Sequence, residues 1–156
     1  MSDPQDPTAA LPRDALACVL DLLIPPSADG RFPGAGELGL AGYVDALVRQ
    51  RPELMPLLAQ GLTWLDAGAE RRGAHGYADL AREARLALLQ ELAASLPGFV
   101  PTLLFLTYTG YYRAPRVMEA LGLEARPPFP KGHDLGEADF SLLEPVRRRG
   151  KLYREC

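Results

Sequence analysis

The sequence predicts an all-α fold, a compact bundle of about five to six short helices with a long irregular C-terminal tail. Three observations carry this reading. Apolar residues recur at helical spacing in one segment after another. Proline or glycine stands at the junctions between those segments. Nowhere is there sustained apolar–polar alternation, an Asn-Gly hairpin signal or a β-branched run of the kind strands need.

The elements follow in order. Residues 1–10 (MSDPQDPTAA) are expected to be disordered. Leu16, Val19, Leu20 and Leu23 then keep the i, i+3, i+4, i+7 rhythm of an amphipathic helix, with Asp14 as its cap. Pro25 and Pro26 end it, because proline has no N–H to donate and restricts the residue before it. SADGRFPGAG (27–36) is a loop by composition. Leu40, Tyr43, Val44 and Leu47 mark a second helix, with Glu37 placed in its first turn, where a carboxylate suits the helix dipole. Pro52 opens a third, striped by Leu54, Leu58, Leu62 and Leu65 and closed by Gly73. A fourth follows the link HGY (75–77), with Asp79 as cap and Ala81, Arg85, Leu88, Leu89, Leu92 and Leu96 as its stripe, before Pro97-Gly98 breaks it. A fifth covers 100–112, and a short sixth runs from Arg116 to Leu121 with Gly122 at its left-handed cap. The helical domain is thus residues 11–122.

Residues 123–156 form the tail. They lack helical periodicity and carry an acidic block (Asp134, Glu137, Asp139, Glu144) followed by a basic one (Arg147, Arg148, Arg149, Lys151, Arg154). Single large apolar residues are spaced along them: Phe129, Phe140, Leu142, Leu143, Leu152 and Tyr153. Such a segment cannot make a core of its own. It either stays disordered or lies along a surface that buries those anchors one at a time.

Composition bounds the function. The chain has 156 residues, 47 % hydrophobic and 24 % charged, which fits one folded domain. Its net charge of −3 leaves no basic footprint for nucleic acid. The 15 glycines and 15 prolines exceed usual shares of roughly 7 % and 5 %, and are expected in loops and tail at the expense of regular elements. Cys18 reads as a small core hydrophobe and Cys156 as an isolated terminal residue, so a reducing compartment is expected. The N-terminal residues hold no basic region followed by an apolar run, so no targeting segment is read there and the cytoplasm is the expected location. The longest uncharged stretch, 92–112, is interrupted at Pro97, Gly98 and Pro101. Its helical part of about 14 residues gives roughly 21 Å, short of a ~30 Å hydrocarbon layer, so no membrane span is read.

Catalytic patterns are thin. The two histidines, His75 and His133, are far apart, and His133, Asp134, Glu137 and Asp139 do not follow a calcium-loop pattern, so neither metal nor catalytic residues are assigned. Ser95 and Ser141 stand without the companions of a hydrolase triad. GAG (34–36) and GYADL (76–80) lack the preceding strand and the spacing of phosphate loops. RRRGKLYR near the C-terminus, balanced by the acidic block, reads as a solvated or protein-binding run.

The fifth helix is the most unusual stretch. Nearly every position from 99 to 112 is apolar or aromatic, with Leu104, Tyr108 and Tyr111 on one face and Phe105, Tyr108 and Tyr112 on the adjoining one. A helix hydrophobic all round must be covered all round. Either neighbouring helices of the same chain do this, or one side stays open for a second protein. Tyr108, Tyr111 and Tyr112 suit the latter through their large apolar bodies and wettable tips, and Arg113 and Arg116 would supply a polar rim.

The order of these signals resembles a known family. LLIPPSADGRFPGAGELGLAGYVDAL (22–47), GLTWLDAGA (61–69), LALLQEL (86–92) and TYTGYYRAPRVMEALG (107–122) together are similar to the gluconate 2-dehydrogenase subunit 3 family, over about residues 11–122. The resemblance implies a non-catalytic small subunit, holding no cofactor itself. It would accompany a large FAD-containing subunit of the glucose-methanol-choline type, which oxidises a sugar or another alcohol; the electron-transfer partner beyond it, a cytochrome subunit or an iron–sulfur protein, stays open. It implies a chaperone-like contribution to the large subunit's folding or maturation. Many members also carry a twin-arginine export signal. This sequence departs there, since Arg71-Arg72 and Arg147–Arg149 are internal and no apolar export region follows them; a periplasmic location would need the signal on the partner or its removal. The interface expected from these readings comprises Pro25, Pro26, Glu37, Tyr108, Tyr111, Tyr112, Arg113, Arg116, Phe129, Phe140, Leu143, Arg147, Arg148 and Tyr153, with Gly110 allowing close backbone approach on the partner side. The rival readings are a helical adaptor for another protein and a small ligand-binding or enzymatic helical domain.

Overall fold

A computed structural model describes residues 11–127, 129–132, 136–149 and 151. Among the described residues there are seven α-helices and no strands, as the absence of alternation predicts. The helices are α1 (Arg13–Leu23), α2 (Leu40–Arg49), α3 (Met55–Glu70), α4 (Arg82–Ser95), α5 (Phe99–Tyr111), α6 (Pro115–Ala120) and α7 (Glu144–Arg147). The chain divides into two units, residues 1–125 and residues 126–156.

In the first unit each helix is set by its apolar stripe and bounded by backbone geometry rather than by polar caps. Helix α1 buries Ala15, Leu16, Val19 and Leu20, and α2 buries Leu40, Ala41, Val44 and Val48. Helix α3 grows out of a 3₁₀ turn at Pro52–Leu54 and buries Leu58, Leu62, Leu65 and Ala69. The three carboxylates read as first-turn or capping residues lie elsewhere. Pro12, Gly39 and Ala81 precede α1, α2 and α4, and no side chain caps any of the three. Asp14 sits inside the first turn of α1, Glu37 in the turn before α2, and Asp79 in a 3₁₀ turn (Tyr77–Asp79) before α4.

The C-terminal stops match the glycine positions. After α3, Gly73 takes φ +83, its N–H bonds to the Glu70 carbonyl and that of Ala74 to the Ala69 carbonyl. After α6, Gly122 at φ +77 repeats the pattern with Glu119 and with Leu123 to Met118. Both are Schellman closures, which need a left-handed residue that only glycine adopts without strain.

Helices α3 and α5 pack against each other and each meets α1 and α4, while α2 closes against α1 and α5. Contrary to the expectation from composition, four glycines lie within helices, and three of them mark close helix–helix approaches. A Cβ on Gly61 would strike the Phe99 ring, one on Gly68 would lie 2.7 Å from Leu88 Cδ1, and one on Gly110 2.7 Å from Tyr43 Cδ1. Gly42 has open space beside it. Helices α4 and α5 meet at a bend of 115°, and among the described residues no single helix is long and apolar enough to cross a membrane.

The link between α1 and α2 is tied down along its length. Asp21 of α1 accepts the Gly36 N–H at 2.7 Å; the Ala35 N–H bonds to the Ile24 carbonyl at 2.9 Å. Ser27 and Phe32 bond to each other across a tight turn, and Arg31 donates to the Ala120 carbonyl at the end of α6. A Cβ on Gly34 would lie 2.6 Å from Asp21 Oδ1, and one on Gly36 would strike the same carboxylate and the Ala17 carbonyl. Gly34 and Gly36 therefore let the chain lie on Asp21.

The second unit holds a 3₁₀ turn at Phe140–Leu143, capped where Asp139 accepts the Ser141 N–H, and the four-residue α7. This is regular structure where the sequence showed no periodicity, and it is too short to produce any. Arg126 donates to the carbonyls of Pro127 and Gly132 within the same segment. Its large apolar residues Phe129, Phe140, Leu142, Leu143 and Val146 are exposed.

Candidate docking face on helix α5

Helix α5 has one buried and one open side. Phe99, Leu103, Leu106, Thr107, Gly110 and Tyr111 face the core. Phe105, Tyr108 and Tyr112 remain 60 %, 43 % and 54 % exposed. The exposed Pro101 extends this stripe by one turn. Its i, i+4, i+7, i+11 spacing with the three aromatic residues is the signal that could have added it.

Tyr111 does not belong to the open face. Its side chain is only 4 % exposed, and its hydroxyl donates to the Pro33 carbonyl at 2.9 Å. Burial, with Tyr112 a smaller contributor, pushes this phenol above its ordinary value. Gly110 is corrected with it: the close approach it permits is to Tyr43 and Leu40 of α2, inside the chain. Residues 103, 106, 107, 110 and 111 lie on one side of a 3.6-residue helix, so a glycine that meets α2 carries Tyr111 inward with it.

Two of the open rings are held in place. Tyr112 stands edge-on to Tyr111 at 5.4 Å and lies 5.8 Å from Tyr108, both favourable aromatic geometries. The stripe is therefore tied to a buried, hydrogen-bonded ring. Beneath it the hydroxyls are satisfied by the helix itself, Thr107 donating to the Leu103 carbonyl at 2.6 Å and Thr109 to that of Leu106 at 2.7 Å. Where α5 ends, Arg113 and Arg116 are exposed.

The remaining interface expectations divide by position. Pro25, Pro26 and Glu37 are exposed in the link between α1 and α2. Phe129, Phe140, Leu143, Arg147 and Arg148 are exposed in the second unit, where Arg147 pairs with Glu144 at 3.0 Å. Tyr153, Leu152, His133, Asp134 and Cys156 lie outside the described residues, as do residues 1–10. Cys18 is a free, partly buried thiol against the core.

Polar groups elsewhere in the first unit do structural work. Asp45, buried on α2, accepts the Leu11 N–H at 3.1 Å and pairs with Arg49 at 3.1 Å. Tyr77 is fully buried; its N–H is taken by Asp66 at 2.9 Å and its hydroxyl donates to the Arg85 carbonyl at 2.9 Å. Burial pushes the Tyr77 phenol far above its ordinary value. A shallow, open depression lies beside it, rimmed by Asp14, Asp66, Glu70, His75 and Asp79. Among the described residues no three His, Cys, Asp or Glu side chains are grouped to hold a metal ion.

Fold and surface together define an all-helical domain distinguished by an open aromatic helix face. The family model for gluconate 2-dehydrogenase subunit 3 matches residues 12–127, and the chain belongs to that family, a dehydrogenase subunit by description. Comparison with curated proteins and with solved structures gives no match.

Proposed function

We propose that this chain is the non-catalytic small subunit of a dehydrogenase complex, binding and stabilising a large FAD-containing subunit of the glucose-methanol-choline type that oxidises a sugar, glycoside or other alcohol. The observation that carries the proposal is membership of the subunit 3 family over residues 12–127. The open side of α5 supports it, because Phe105, Tyr108 and Tyr112 are side chains whose cover must come from elsewhere. Covering each would contribute about 1 kcal/mol, taking half the value of a fully buried side chain. FAD and hydride abstraction belong to the partner in this reading, and a cytochrome or iron–sulfur protein would accept the electrons. The small subunit's contribution is thermodynamic: a protein that binds only the folded partner stabilises that state by mass action. The second unit, with Phe129, Phe140 and Leu143 exposed, lies along the large subunit and is protected there from protease. In this reading the complex works in a reducing compartment, the cytoplasm; the two isolated cysteines of the sequence support that, and cell fractionation tests it.

The test is a tagged pull-down from the native host with flavin absorbance read on the eluate. A yellow complex that contains a large FAD protein and reduces dye on addition of a sugar or alcohol is the expected outcome. A chain that emerges alone and colourless at native expression overturns the proposal.

A further inference from the structure

We infer that the open face of α5 is where this chain takes its partner, and that the segment it accepts is an apolar ridge bordered by carboxylates on the large flavoprotein subunit. The inference rests on the accessory-subunit reading and adds the place and chemistry of contact. Residues 99–112 carry no charged side chain, so the middle of the face, Phe105 to Tyr112, matches a mainly apolar, uncharged surface with room for the two phenol hydroxyls. Its end is different. Arg113 and Arg116 are exposed, and among the described residues neither is engaged by an acid of this chain. Forked guanidinium donors fit carboxylates in pairs, so the complementary surface carries acids at this end and apolar side chains along the rest. Two of the three rings, Tyr108 and Tyr112, already stand in a ladder running back to buried Tyr111, so less ordering is left for the docking step.

A second copy of this chain is a poorer occupant. Pairing two α5 helices antiparallel would lay each arginine pair beside LPGFVPT (96–102) of the other, which has no carboxylate, and pairing them parallel would oppose arginine to arginine. Nucleic acid and an anionic bilayer both call for a broader basic field than two arginines on a chain of net charge −3.

The experiment uses the full chain and the flavoprotein it retains from its host. Affinity is measured for wild type, for Phe105→Ser/Tyr108→Ser, for Arg113→Glu/Arg116→Glu and for the control Leu86→Ser, which alters an exposed leucine on α4. All five positions are exposed, and unchanged circular dichroism confirms that each variant folds. Both double variants are expected to weaken binding by on the order of 30-fold or more, as at an interface hot spot. Added salt is expected to weaken the wild type and to narrow its advantage over the charge-reversed form, while Leu86→Ser binds as wild type. A flavoprotein retained equally by wild type and the aromatic variant overturns the face while leaving the accessory role standing; equal retention by the arginine variant overturns the acidic border. Equal loss in Leu86→Ser overturns the specificity of the face. Self-association, or binding to phosphatidylserine vesicles, that the aromatic variant abolishes overturns the choice of partner. A wild-type chain that retains no flavoprotein overturns the accessory role and this inference together.

Discussion

Two buried tyrosines show how single residues tie this fold together. Tyr77 and Tyr111 each bury a ring and send the hydroxyl to a backbone carbonyl, on Arg85 and Pro33. Tyr77→Phe keeps the ring and removes one hydrogen bond, so it is expected to lower stability by about 1 kcal/mol in urea titration. It also bears on alkaline stability. Burial raises the folded-state value of this phenol above 10.0, the value for an exposed one. The neutral form is thus favoured by folding, and its contribution is complete below pH 10.0 and lost as pH rises towards the folded value. Unfolding midpoints are expected to fall above that pH, and to fall less steeply in Tyr77→Phe, with Tyr111 accounting for part of the remaining slope. Neither role was visible in the sequence. Tyr111 shares i, i+3 spacing with Tyr108, and on a helix apolar all round the periodicity that separates inside from outside vanishes. The informative residue was its neighbour Gly110, which marks the side that touches α2.

At the scale of the element, the legible features were those set by strong steric rules. Helix stripes and the glycine stops at Gly73 and Gly122 stand where spacing and φ requirements put them. Helix starts were misread, because Asp14, Glu37 and Asp79 are good capping residues that this chain uses otherwise. Its starts are set by the backbone of Pro12, Gly39 and Ala81, two of them extended and one left-handed, and a side-chain preference cannot report that. Glycine inside a helix has the same ambiguity, since composition alone assigns it to loops. A pair of substitutions separates its two meanings. Gly42→Ala, in open space on α2, is expected to stabilise by about 0.5–1 kcal/mol by reducing the freedom of the unfolded chain. Gly110→Ala, at the α2–α5 contact, is expected to destabilise by about 1–3 kcal/mol because Tyr43 and Leu40 must move. Urea midpoints of the two proteins should lie on opposite sides of wild type.

For the whole molecule, every member of the buried core among the described residues lies between Leu11 and Val117. A chain ending at Ala125 is therefore expected to unfold in one cooperative transition, followed by the fluorescence of Trp64, its single tryptophan. Non-coincident transitions by fluorescence and circular dichroism would contradict this. The fold class was legible because helix periodicity is a property of short windows. The side of α5 left open was not, because it depends on where four other helices pass. The same long-range dependence has a consequence in time. Pro33 and Tyr111, whose bond anchors the link after α1, are 78 residues apart. At about 5–20 residues per second of synthesis, roughly 4–16 s pass between their appearances. Until α5 emerges, α1 and α2 lack the helix against which both pack, and the core that Val19, Leu20, Val44 and Val48 belong to stays incomplete. A ribosome stalled before α5 would hold a nascent chain whose sticky halves are complete and whose lid has not been made.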